Sequence, residues 1–142
     1  IEKVKFELIL NNITIIQSSS YYESLSWPNP NNPKFLNIVL KVRTNLKPLD
    51  LLDKCKLIES KLGRKPSSKN SPRICDIDIL DYEKKRSNKL IILPHPRLHN
   101  RNFVLFPLFE INKNWTHPVT KHNIKRLILS LSKRDITSIK QI

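Results

Sequence analysis

The chain has 142 residues, with 26 Lys or Arg against 12 Asp or Glu and a formal net charge of +14. That length suits a single α+β domain over 1–142 with a real core, and no apolar run approaches the ~18–20 residues needed to span a bilayer. Two cysteines, Cys55 and Cys75, are too few for a disulfide framework or a metal knuckle. They are expected as small core residues in a reducing, cytoplasmic setting. The excess of Lys and Arg favours polyanions and phosphorylated small molecules as ligands.

The chain opens on Ile1 rather than Met, so a segment ahead of it is expected. Residues 2–10 carry apolar positions whose spacing fits either a helix or a strand. Residues 13–22 read as a strand, and 23–34 as a loop, because Pro28, Pro30 and Pro33 lack backbone donors. Residues 35–44 alternate. Leu36, Ile38, Leu40 and Val42 are expected in the core, with Phe35, Asn37 and Val39 on the other face. An Asn between two apolar neighbours on a strand face is a candidate reader of a polar ligand.

Residues 48–62 predict a helix. Pro48 suits its first position, Asp50 and Asp53 suit its positive end, and Gly63 suits the position just past its end. Leu51, Cys55, Ile58 and Leu62 form the expected buried stripe, with Lys56 and Glu59 on a different line. Residues 64–72 form a basic loop and 73–82 (RICDIDILDY) a strand. A strand-like LIIL and the turn PHPRL follow. Residues 99–111 read as a short helical turn broken at Pro107, and 123–132 as a last amphipathic helix. This order predicts an antiparallel sheet with helices packed on one face, the other face being left for function.

The chemistry concentrates in RICDIDIL. On a strand, residues i and i+2 point the same way, so Asp76 and Asp78 share a face, with Cα atoms about 6.6 Å apart. Two like charges at that spacing are costly unless a cation neutralises them. Oxygen-only donors on a rigid strand suit Mg²⁺, which binds through one or two carboxylates plus phosphates. Arg73 precedes the pair and Arg64 opens the basic loop. Further on, Pro94 and Pro96 flank His95, and His95, Arg97 and Arg101 are placed to donate to phosphate oxygens.

PRICDIDIL at 72–80 and LPHPRLHNRNFVLFPLFEI at 93–111 resemble the two signature regions of 6-hydroxymethyl-7,8-dihydropterin pyrophosphokinase, a folate-pathway family. SSSYYES, PKFLNIVLKVRT and LLDKCKLIESKLGR fall upstream in the family's order and approximate spacing. The resemblance implies a ferredoxin-like sandwich and a monomeric enzyme. Its reaction is transfer of diphosphate from ATP to a pterin alcohol, with small-molecule partners and neither nucleic acid nor membrane. Asp76 and Asp78 would hold two Mg²⁺ ions bridging the ATP phosphates. Arg73, His95 and Arg101 would line those phosphates, Arg64 would belong to a catalytic loop, and Glu59 would sit near the ribose. Asn37 would read the pterin edge, Phe35 and Phe103 would sandwich the ring, and Ser24 would stand close to it.

The family normally opens with a strand followed by Gly-Ser-Asn, ahead of this chain's first residue. It also carries Trp-Gly where Asn70 and Ser71 stand, and a Gln where Lys56 stands. Two other readings follow from the residues: a nucleic-acid-binding module on an open sheet, and an ATP-binding relative of low turnover. The single Gly rules out a Gly-rich phosphate loop, so side chains and metal must handle the phosphates.

Overall fold

The computed structural model describes residues 1–26, 29–63 and 75–142. The ambiguous opening segment is helix α1 (Glu2–Leu10), which buries Val4, Glu7 and Leu8. These are i, i+3 and i+4, one helical face. Strand β1 (Thr14–Ser18) follows, then β2 (Tyr22–Ser24), which begins inside the expected 13–22 strand and runs into the expected loop. Strands β3 (Phe35–Asn37) and β4 (Leu40–Arg43) replace the continuous 35–44 strand. β4 pairs antiparallel with β1, whereas β3 pairs with β2. The chain therefore changes sheets at Ile38–Val39.

Ser19 holds that crossing. Its amide donates to the Val39 carbonyl at 2.9 Å, and its hydroxyl accepts from the Val39 amide at 3.0 Å. The crossing resets the alternation of side chains. Val39, expected on the open face, is 7% exposed, and Leu36, expected in the core, is 52% exposed.

Helix α2 (Pro48–Lys61) matches its expectation closely. Pro48 stands at the start, Leu51, Cys55 and Ile58 are buried, and Gly63 has φ 98°. Lys61 of its last turn pairs with Glu7 of α1 at 2.7 Å, which ties the two helices together. The extended stretch 75–81 forms no ladder with another strand among the described residues. After it come β5 (Ser87–Asn88) and β6 (Ile92–Leu93), paired antiparallel, and a 3-10 turn at Leu98–Asn100.

Helix α3 (Asn102–Ile111) runs through Pro107 instead of breaking there. Proline removes one helical donor, but Val104, Leu105 and Leu108 around it are buried in one cluster, and that packing outweighs the lost bond. Helix α4 (Ile124–Leu129), helix α5 (Lys133–Ser138) and strand β7 (Lys140–Gln141) complete the chain, and β7 pairs with β2. Small antiparallel sheets with helices make this an α+β protein.

The apolar core divides into two clusters. One gathers Val4, Leu8, Ile13, Leu51, Cys55 and Ile58 from α1, α2 and the turn into β1, with Leu40, Val42, Cys75, Ile77 and Ile79 packed against them. The other gathers Val39, Leu98, Leu105, Trp115 and Ile124, among others, around α3 and α4. The 75–81 stretch touches both, because Leu80 packs against the second cluster.

Candidate functional site

The acid pair sits where its alternation places it. Cys75, Ile77 and Ile79 pack inward, and Asp76 and Asp78 are exposed. Glu59 of α2 is buried, and its Oε1 accepts from the Ile77 amide at 2.6 Å, between the two aspartates. The Asp78 Oδ2 lies 3.4 Å from Arg101 Nη1 and 3.7 Å from His95 Nε2. Residues 17 and 23 positions apart in sequence thus converge on one carboxylate.

His95 is fixed from two sides. Its amide donates to the Leu80 carbonyl at 2.9 Å, and its Nδ1 accepts from the Arg97 amide at 3.1 Å. An accepting Nδ1 leaves the proton of the neutral ring on Nε2, the atom that faces Asp78. Burial holds the His95 pKa below its ordinary value, against the pull of Asp78 and together with the repulsion of Arg101 and Arg97. The lowered pKa favours the neutral imidazole, whose Nε2–H is the ring's available donor. Burial also lowers the Arg101 pKa, and its guanidinium lies 5.4 Å from the Phe103 ring centroid. Beside Asp78 and His95 lies a cavity of about 270 Å³ whose apolar wall includes Leu52, Ile77, Ile79 and Ile92.

A second group forms on β2 and β3. Asn37 Nδ2 donates to the Ser24 hydroxyl at 2.9 Å, and Ser24 is paired with Phe35 across the ladder. Ser24 is buried, and Phe35 is 46% exposed. Phe103 lies in the first turn of α3, which packs against β2 and β3. Glu110, further along α3, braces this region. It accepts from the Ser20 amide at 3.0 Å, the Ser20 hydroxyl at 2.8 Å and the Tyr22 phenol at 2.9 Å.

The structure thus joins Asp78, His95 and Arg101 in one place, and Ser24, Asn37 and Phe35 in another. Glu59 is not on the outer line of α2 but under the acid stretch, whereas Lys56 is exposed. Arg64, Arg73, Asn70 and Ser71 lie outside the described residues. Sequence reasoning gave no role to Tyr22 or Glu110. Glu110 stood inside the FPLFEI run without a role, because its partners lie about 90 positions away.

Comparison with known proteins bears on the family. The profile of the 7,8-dihydro-6-hydroxymethylpterin-pyrophosphokinase family matches residues 2–113. A 2-amino-4-hydroxy-6-hydroxymethyldihydropteridine pyrophosphokinase of Aquifex aeolicus is 43% identical over 114 residues, 80% of this chain and 71% of that protein. One of the same name from Haemophilus influenzae is 37% identical over 110 residues, 77% of this chain and 69% of its own length. A folic acid synthesis protein of Pneumocystis carinii is 37% identical over 134 residues, 94% of this chain but only 18% of that much longer protein. With its two motif regions and most of its length matched in order, this chain belongs to the 7,8-dihydro-6-hydroxymethylpterin-pyrophosphokinase family.

Proposed function

We propose that this protein transfers a diphosphate group from ATP to 6-hydroxymethyl-7,8-dihydropterin. The hydroxymethyl oxygen attacks the β-phosphorus of ATP, the bond from that phosphorus to the α–β bridging oxygen breaks, and AMP leaves. The hydroxyl proton passes to water. The observation that carries this reading is the convergence of His95 and Arg101 on Asp78 beside an apolar cavity. A neutral donor, a cation and a carboxylate meet there at the edge of a space suited to a nucleotide base. Family membership favours this enzyme over a nucleic-acid-binding module.

The donor set fits Mg²⁺. Asp76 and Asp78 supply oxygen only. That suits a cation which takes one or two carboxylates and completes its shell with phosphates and water. When bound, Mg²⁺ would neutralise charge on the transferring phosphates. Arg101 and the His95 Nε2–H would donate to phosphate oxygens, with Arg73 and Arg64 as further cations. Such transfer needs positioning and charge stabilisation rather than a covalent intermediate.

Asn37, oriented by Ser24, would read the pterin edge, with Phe35 and Phe103 on the ring faces. Glu59, assigned to the ribose by resemblance, supports the acid stretch from below and so bears on the ATP face. The ferredoxin-like sandwich is our reading of the sheet pieces. Leu40 and Val42 of β4 and Cys75, Ile77 and Ile79 pack on the same helical cluster, as strands of one sheet would.

The test is AMP release from ATP, the pterin alcohol and Mg²⁺, comparing wild type with Asp76→Ala and Asp78→Ala. Each variant is expected to lose about 10²–10³-fold in kcat, the scale for removing a preorganised electrostatic group. Equal AMP release from all three would overturn the assignment of these carboxylates.

A further inference from the structure

Side chains from other parts of the chain hold the acid stretch at two places. Glu59 does so in the middle, through the Ile77 amide. At the far end, three residues past Asp78, stands Asp81. Its Oδ2 accepts from the Trp115 indole Nε1 at 2.8 Å, and its Oδ1 accepts from the Lys84 amide at 3.0 Å. The Lys84 ammonium completes the knot. It lies 3.4 Å from Asp81 Oδ2 and 4.4 Å from the Trp115 ring centroid, and donates to the Thr116 carbonyl at 2.5 Å. Nearby, Arg86 Nη2 donates to the Pro118 carbonyl at 2.7 Å. Trp115 itself is 4% exposed and belongs to the second core cluster.

The anchor joins the acid stretch to a part of the chain outside the family match, which ends at 113. It also reaches the phosphate side of the site. Leu80, next to Asp81, takes the His95 amide on its carbonyl, so the backbone that Asp81 pins is the one that sets His95 against Asp78. We propose that Asp81, held by Trp115 and Lys84, is a positioning residue that sets the Asp76–Asp78 carboxylates and His95 for a Mg²⁺–nucleotide complex. This rests on the pyrophosphokinase reading above. The physical reason is tolerance: productive geometry at such sites is held to within about 0.5 Å by the shell behind it.

Trp115→Phe removes the indole donor and keeps an aromatic body in the core. Asp81→Ala removes the acceptor, and Asp81→Asn keeps an acceptor oxygen without the charge. Free Mn²⁺, read by its paramagnetic resonance signal, would be titrated with each protein and an ATP analogue whose α–β bridge is methylene. Trp115→Phe and Asp81→Ala are expected to weaken Mn²⁺ binding about 10-fold, the low end for groups that orient metal ligands. The Mg²⁺ needed for half-maximal AMP release rises in parallel, KM for the pterin stays unchanged, and Asp81→Asn restores most of the affinity.

Thermal melts would establish that each variant is folded at the assay temperature. If Trp115→Phe is not, the comparison of Asp81→Ala with Asp81→Asn decides alone. Unchanged Mn²⁺ affinity in the folded variants would overturn the proposal, as would an equal rise in KM for the pterin. A wild type that binds Mn²⁺ and the analogue yet releases no AMP would sink the pyrophosphokinase reading, while the Mn²⁺ comparison would still judge the anchor.

Discussion

Glu110 accepts from the Ser20 amide, the Ser20 hydroxyl and the Tyr22 phenol, and its titration follows from those bonds. Burial alone would raise its pKa, but these donors outweigh burial and hold it below the ordinary carboxylate value. Burial and Glu110 together push the Tyr22 phenol up to about 12, so it remains a donor throughout the neutral range. A carboxylate depressed in the folded state stabilises the protein above the unfolded pKa of about 4.3. That contribution disappears as pH falls through the folded value. Glu110→Gln is therefore expected to lower the urea midpoint most near neutral pH. The gap to wild type closes in acid, where both side chains are uncharged; a gap of constant size from pH 3 to 7 would contradict this. The residue was legible as part of FPLFEI, but its role was not, because nothing local to it marks Ser20 or Tyr22 as its donors.

Among the elements, α2 was readable almost to the residue, and 35–44 was not. Helix α2 carries its own punctuation: Pro48 at the start, a stripe at Leu51, Cys55 and Ile58, and Gly63 past the end. Gly63 has φ 98°, a conformation that a Cβ disfavours by about 1–2 kcal/mol. Gly63→Ala is expected to lower stability by about 1 kcal/mol, measured as a reduced urea midpoint with an unchanged slope. No such punctuation marks Ile38–Val39, where the chain leaves one sheet for another. Alternation is read within a strand and does not show that two halves of a run pair with different partners. Pro107 misled for the opposite reason. Its local signal is a break, and the burial of Val104, Leu105 and Leu108 overrides it.

Across the whole molecule, a net charge of +14 raises the local concentration of an anionic nucleotide. Adding salt from about 0.01 M to 0.15 M shortens the screening length from roughly 30 Å to 8 Å. The value of kcat/KM for Mg–ATP is expected to fall over that range, while kcat/KM for the uncharged pterin alcohol changes little. Equal salt dependence for the two substrates would deny the charge this role. Family, reaction class and the shared face of Asp76 and Asp78 were determined by the sequence alone. Side-chain direction on an extended stretch and the order of motif residues are properties of neighbouring positions. Only the tertiary structure decided that Glu59 lies under the acid pair and that His95 and Arg101 meet at Asp78. It also decided that Asp81 is anchored to Trp115. Each of these contacts joins residues 17 to 34 positions apart, and such pairs are chosen by which surfaces the folded core brings together, which no local period encodes.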